Sequence, residues 1–251
     1  MIEVDQSLSF NRALVEKYDR PGPRYTSYPT APQFHQAFAL DDYHAAAQAS
    51  NQAAVPKALS LYIHIPFCKS LCYYCACNKI ITQKTHRAVE YLNYLKREIA
   101  MQAALFDRTR TLRQLHLGGG TPTYLTREQL AELMDCLHQA FNLDDSDEHE
   151  FSIEVDPRTI STEQIEHLRQ LGFNRLSFGV QDFDPDVQAA VNRQQSEEQI
   201  YALVAAARAA QFKSVSVDLI YGLPLQTVAS FDVTLSKIIA LRPDRIAAYS
   251  Y

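Results

Sequence analysis

Six short apolar runs alternate with longer amphipathic ones along this chain. The short runs cover residues 59–65, 114–117, 151–155, 175–179, 214–220 and 245–251, and the amphipathic ones 87–106, 126–141, 162–171, 197–211 and 231–241. Short apolar runs predict buried strands, and apolar positions recurring every three to four residues predict helices with one face on a core. Thr126-Arg-Glu-Gln and Ser161-Thr-Glu-Gln open two of the helical runs as N-caps do, a hydroxyl followed by acidic and amide residues. Alternation of strand and helix implies parallel strands with right-handed crossovers, hence a barrel or a doubly wound sheet. A complete (β/α)8 barrel takes about 250 residues. With 251 residues in all, and about the first 58 lying before the first strand, six units fit better than eight.

Both ends differ from this pattern. Arg20-Pro-Gly-Pro-Arg-Tyr-Thr-Ser-Tyr-Pro-Thr30 holds three prolines and predicts an extended arm. The expected organisation is an N-terminal arm with helices over 1–50 and a partial barrel over 51–251. At Tyr251 the chain stops inside its sixth strand-like run, leaving an edge that native sheets normally cover. The expectation is a truncated chain.

Composition narrows the function. A 47% apolar and 21% charged chain is an ordinary globular one. Net charge is −5, with no basic block, so nucleic acid is not an expected partner. Nor is a membrane, because no apolar stretch approaches the roughly 18–20 residues of a span. The start, Met-Ile-Glu-Val-Asp, is no signal peptide, which makes cytoplasm the expected compartment. Thiols there stay reduced and bind metal rather than pair.

Four of the five cysteines sit in Cys68-Lys-Ser-Leu-Cys72-Tyr-Tyr-Cys75-Ala-Cys77, directly after the first strand. Iron–sulfur clusters accept such short runs, whereas zinc usually takes two knuckles well apart in sequence; zinc and unliganded thiols remain the rival readings. The fifth, Cys136, reads as a buried apolar residue of a helix. Other unusual residues also follow strands, where parallel α/β folds collect function. Gly118-Gly119-Gly120-Thr121-Pro122 follows the second and uses three of seven glycines. Glu154 and Asp156 end the third, Gln181 follows the fourth, and Asp218 with Tyr221-Gly222-Leu-Pro224 closes the fifth. Three glycines at a strand end let a ligand approach the backbone and reach its amides; a tight turn alone would explain one of them. Glu154, Arg193 and Asp218, taken singly, could equally be solvated or paired residues. His64 reads as a hydrogen-bonded structural histidine and stays outside the catalytic set.

C-x3-C-x2-C after a first strand, an aromatic (Tyr74) before the third cysteine and a glycine-rich second strand end resemble the radical S-adenosylmethionine (SAM) superfamily. Within it, Pro23-Arg-Tyr-Thr-Ser-Tyr-Pro-Thr30, the run His64 to Asn78, Gly118-Gly-Gly-Thr-Pro-Thr-Tyr124, Ser152-Ile-Glu-Val-Asp-Pro157, Phe178-Gly-Val-Gln-Asp-Phe183, Val191-Asn-Arg193 and Asp218-Leu-Ile-Tyr-Gly-Leu-Pro224 resemble the oxygen-independent coproporphyrinogen III oxidase family. The resemblance implies an α/β fold, an incomplete (β/α)6 barrel of the radical SAM type behind an extended N-terminal arm. It implies a four-iron four-sulfur (4Fe-4S) cluster on Cys68, Cys72 and Cys75 and two SAM molecules. One SAM falls to Tyr62, Gly119 and Glu154, the other to Tyr74, Gly120, Thr121, Gln181, Arg193 and Asp218. Cys77 matches a cysteine needed for activity and not counted among the cluster ligands.

The implied activity is oxidative decarboxylation of two propionates of coproporphyrinogen III to vinyl groups, giving protoporphyrinogen IX in haem biosynthesis. An electron passes through the cluster to SAM, and the resulting deoxyadenosyl radical takes hydrogen from the propionate β-carbon. An electron-donor protein is an implied partner, and the expected state is a monomer. Arg20 and Arg24 of the arm are candidates to hold the substrate's carboxylates. The family's C-terminal helical domain has no counterpart here, so weak activity is expected of this chain alone. A haem-binding relative without oxidase activity is the alternative; its kind carries phenylalanine in place of Cys77 and lacks this arm.

Overall fold

The computed structural model describes residues 10–20, 30–146 and 148–251. The expected arm, Arg24 included, lies outside the described residues apart from Arg20 and Thr30. The chain divides into two compact units, Met1–Ala47 and Gln48–Tyr251. In the first, α1 (Arg12–Tyr18) is capped by Asn11, whose side chain accepts from the Leu14 N–H, and α2 (Leu40–Asn51) begins.

The second unit runs β1 (Leu59–Ile65), β2 (Phe67–Cys68), β3 (Ile80–Ile81), α3 (His86–Ala103), β4 (Thr111–Gly119), α4 (Arg127–Ala140), β5 (Asn142–Leu143) and β6 (Glu150–Val155). It continues with α5 (Thr162–Gln170), β7 (Arg175–Gln181), α6 (Pro185–Ala190), α7 (Glu197–Ala209), β8 (Ser214–Tyr221), α8 (Val228–Leu241) and β9 (Arg245–Ser250). All six long strands are parallel and lie in chain order, β1-β4-β6-β7-β8-β9. A doubly wound sheet reverses order at a switch point; this one does not. With β1 and β9 left as edges, it is an incomplete barrel.

Strand alternation builds its two faces. Ile63, Leu117, Ile153, Leu176 and Val215 stand opposite one another across five strands, all buried. They face the helices, which offer residues three or four apart: Leu92, Leu95 and Ile99 of α3; Leu130, Leu133, Met134 and Leu137 of α4; Ile200, Leu203, Val204 and Ala207 of α7. The alternate positions are polar. Ser60, His116, Ser152, Ser177, Asp218 and Tyr249, one from each long strand, line a single cavity of about 590 Å³. Six strands can share one cavity only when the sheet curls round it.

The observed elements depart from the predicted ones where local chemistry overrides the pattern. The second strand starts three residues early, at Thr111, because the exposed Arg113 and Gln114 mask its period. The last helix begins at Val228, where Thr227 and Ser230 form a capping box. Helix α6 was not expected: six residues are too few to show a period, and its signal is Asp184 capping two amides ahead of Pro185. Cys136 is half-buried against the core, in keeping with a packing role.

Ile153 is fully buried in β6 with paired strands on both sides. Ile153→Ala is expected to destabilise the chain by about 2–5 kcal/mol, read as the shift in urea unfolding midpoint with unchanged slope.

Candidate active site

The carboxyl ends of the strands converge on the cysteine loop, and glycines decide how closely. Gly120 donates its N–H to the Ile65 carbonyl at 2.8 Å, and a Cβ on it would lie 2.7 Å from the Pro66 oxygen. Gly119 has φ +116°, and a Cβ there would strike the His64 ring at 2.7 Å; at Gly118 it would meet Glu154 and His116 at 2.9 Å. Each glycine thus has its own reason, and all three are approaches of protein to protein. The Gly119 amide is likewise taken internally, by Glu154 Oε2 at 3.1 Å. Free amides facing a ligand, as the glycine run suggested, are not found at Gly119 or Gly120.

Phe67 fixes the start of the loop. It is buried, stacks on Tyr124 at 5.2 Å and meets Tyr91 edge-on at 5.5 Å. The short β2–β3 pair then carries the chain out and back, with the Ile80 and Thr82 amides on the Pro66 and Cys68 carbonyls. Between them the Lys79 ammonium draws in the Cys75 and Cys77 carbonyls at 2.7 and 3.3 Å. The far side is tied to the α6–α7 connection: the Tyr73 N–H bonds the Val191 carbonyl, and Asn192 Nδ2 the Leu71 carbonyl at 2.7 Å.

The sulfurs have different neighbours. The Thr121 hydroxyl donates to Cys68 Sγ at 3.5 Å. Cys72 is buried, and both Arg158 Nη2 and Arg193 Nη1 reach its Sγ at 3.5 Å. Burial pushes the Cys68 thiol up, helped by Cys75 and Cys72 and opposed by Thr121. Cys77 is exposed beside Cys75; partial desolvation, then Cys75, pushes it up to about 11. Among the described residues no three or more His, Cys, Asp or Glu side chains gather closely enough to hold a single metal ion. A cluster, taking each thiolate on a different iron, needs its ligands further apart, and Cys68, Cys72 and Cys75 could hold one.

Asp156 joins the two arginines. Arg158 binds it through Nε at 3.0 Å and Nη2 at 2.7 Å, while Arg193 approaches at 3.4 and 3.5 Å and also donates to the Gly179 carbonyl at 2.7 Å. Burial works to raise the Asp156 carboxyl, but the bonds and charge of Arg158 with the charge of Arg193 bring it below the usual range. Neither the role of Asp156 nor that of Arg158 was legible in the sequence; the only hint was an arginine two residues beyond a strand-end aspartate.

Glu154 stands at the mouth of the cavity. Its Oε1 lies 3.3 Å from His116 Nε2, and its half-exposed carboxylate keeps lone pairs toward the opening. His116 Nδ1 shares a hydrogen bond with the Ser152 hydroxyl at 2.6 Å, and that hydroxyl also reaches the Leu115 carbonyl at 3.3 Å. Tyr62 stacks on His116, ring centroids 5.7 Å apart, and its hydroxyl donates to His64 Nδ1 at 3.0 Å. His64 Nε2 donates in turn to the Asn78 carbonyl at 2.8 Å, so both its nitrogens are used and its structural reading fits. His116, on the polar face of β4, is the histidine the sequence reading missed. Tyr74 packs on Val187, Val191, Ile220 and Leu223. Gln181 has φ +68° at the β7–β8 register shift. Tyr62, Glu154 and Asp218 therefore border the cavity region, while Thr121 and Arg193 border the cysteine loop that contains Tyr74.

The sequence pattern of the Radical SAM superfamily matches residues 62–238, which takes in this whole rim. The chain belongs to the radical SAM superfamily. Membership implies a 4Fe-4S cluster and SAM. Radical SAM relatives named oxygen-independent coproporphyrinogen III oxidase are 49% identical to it over 98% of its length, in Pseudomonas aeruginosa and in Escherichia coli K12. The matches cover 53% and 52% of those proteins, so the chain spans about half the length of the curated relatives it matches. A solved radical SAM structure, coproporphyrinogen III oxidase from Escherichia coli, superposes with TM-score 0.85 at 47% identity, over 98% of this chain and 54% of that one. The radical SAM methyltransferase TsrM from Kitasatospora setae matches at TM-score 0.52 and 13% identity, over 77% of this chain and 36% of that one, a likeness of fold alone.

Asp218 provides a test of the cavity's electrostatics. Burial, then the Glu154 charge, pushes its carboxyl from 3.8 up to about 6, against the Ser177 hydroxyl, Arg193 and His116. A folded-state value above the unfolded one means the native state holds more protons between pH 3.8 and 6. Stability therefore falls as pH rises through that window. Asp218→Asn removes the effect, and its stability relative to the parent is expected to grow by ~1–3 kcal/mol between pH 4 and pH 7. Chemical denaturation at both pH values checks this; a pH-independent difference contradicts it.

Proposed function

We propose that this chain is the radical SAM part of an oxygen-independent coproporphyrinogen III oxidase. Its reaction is then the oxidative decarboxylation of two propionates of coproporphyrinogen III to vinyl groups, giving protoporphyrinogen IX. The observation that carries the reading is identity of 49% along 98% of the chain to proteins of that name. Support also comes from Cys77 beside the three-cysteine loop, which a haem-binding relative would replace with phenylalanine. An electron-donor protein, a monomeric state and a cytoplasmic location belong to the same reading; among the described residues no helix is long and apolar enough to cross a membrane. So does the division into an N-terminal segment over 1–50 and a partial barrel over 51–251.

In this reading Cys68, Cys72 and Cys75 would hold the cluster, and SAM would bind beside it. Bound together, cluster and SAM supply a one-electron route to a carbon radical able to take hydrogen from an unactivated carbon. The chain's own residues do the orienting. Glu154, fixed by the Gly119 amide and His116, offers its free lone pairs to an ammonium. Tyr62, locked through His64 to Asn78, and the backbone of Gly119 close that side around the first SAM. A second SAM falls to Tyr74, Gly120, Thr121, Gln181, Arg193 and Asp218. Gly120 contributes there through its carbonyl, since its amide is taken and its side-chain position faces the Pro66 backbone. Asp218, whose carboxyl is pushed up to about 6 by burial and by Glu154, offers its oxygens as hydrogen-bond acceptors at neutral pH. Arg20, exposed in the structure, and Arg24 remain candidates for the substrate's carboxylates.

Anaerobic reconstitution with iron and sulfide tests the core of this proposal. The chain should take up ~4 iron with visible charge-transfer absorption and cleave SAM when reduced. Cys68→Ser, Cys72→Ser and Cys75→Ser should each lose the absorption, and Cys77→Ser should keep it. Colourless, iron-free protein would falsify the assignment.

A further inference from the structure

Among the described residues, the charges packed against the cysteine loop do not balance. Side chains of Asp156 and Arg193 are each 9% exposed, and that of Arg158 is 21% exposed. Two guanidinium groups on one carboxylate leave a net positive charge in a site nearly closed to water. A buried charge without a counterpart costs several kcal/mol. Besides Asp156, the group both guanidiniums reach is Cys72 Sγ, at 3.5 Å from each. A sulfur that ligates metal does so as an anion, so a cluster bound through Cys72 would place its negative charge against the excess. Among the described residues, the hydrogen-bond donor to Cys68 is the neutral Thr121 hydroxyl at 3.5 Å, so the fold treats the two sulfurs differently.

We propose that Arg158 and Arg193, forked on Asp156, are positioning residues that act through the Cys72 sulfur, making the cluster it ligates easier to reduce. The inference rests on the reading of Cys68, Cys72 and Cys75 as cluster ligands. Hydrogen bonds to ligand sulfurs and local net charge set the potentials of such clusters. A low-potential one-electron donor supplies the electron. Fixed cations offset the added negative charge, and they act strongly because the site excludes water. Asp156 holds the fork in place and keeps the net excess to a single charge. Arg158 is the informative residue, since Arg193 has a second partner in the Gly179 carbonyl.

A redox titration of the full chain, reconstituted anaerobically and followed by electron paramagnetic resonance, tests this. Arg158→Gln is expected to lower the one-electron reduction equilibrium about tenfold, a fall of ~59 mV. Arg158→Lys keeps the charge without the fork and is expected to fall about threefold. An unshifted potential in whichever variant holds the cluster overturns the inference and leaves the ligand assignment standing. Loss of the cluster from both variants also overturns it, because the arginine would then hold the loop together rather than tune it. A parent chain that takes up no cluster overturns the ligand assignment, and the inference with it.

Discussion

The site depends on one close approach: Gly120 lies so near Pro66 and Phe67 that a single added carbon would sit 2.7 Å from a carbonyl oxygen. That contact sets the end of β4 against the end of β1 and brings Thr121 within reach of Cys68. Atoms this close cannot be relaxed by a flexible side chain, because both partners are backbone. The cysteine loop is therefore placed by steric necessity and then tied down by ordinary hydrogen bonds. Lys79 gathers its carbonyls from one side, and Asn192 and Val191 hold it from the other.

Two polar systems follow from that placement, and they differ in kind. Around Cys72 the charges are buried and dense, with two guanidinium groups and a carboxylate in mutual contact. Around Glu154 they are half-open and linked through side-chain hydrogen bonds, histidine to serine and tyrosine to histidine. The first is rigid because separating its members would strand charges away from water. The second can exchange a partner for a ligand at little expense. Asp218 stands between the two, close enough to Glu154 to be raised and to Arg193 to be partly compensated.

Much of the fold was legible in the sequence. The six long strands were visible as short apolar runs, and five helices as amphipathic ones, because burial of one face repeats at a fixed period. Boundaries slipped where a cap or an exposed charge interrupts that period, as at Thr227 and Arg113. Helix α6 and the β2–β3 pair are shorter than any period and were not visible at all. In the site, residues with unusual local chemistry stood out: clustered thiols, a run of glycines, carboxylates at strand ends. Arg158 and His116 did not, since an arginine in a loop and a histidine in a strand are commonplace until their neighbours are known.

The glycine run marks the limit between the two kinds of information. Its sequence announced that side chains are excluded at three successive positions, yet the excluded space proved to belong to Glu154, His64 and Pro66 rather than to a ligand. Local order along the chain determined the element types, their parallel arrangement and the loop that carries the thiols, because each follows from periodicity or composition within a few residues. Only the tertiary structure decided that Asp156, Arg158 and Arg193 close on Cys72, and that one cavity joins six strands. Those partners are up to 121 residues apart, and contacts over that separation exist only once the sheet has curled.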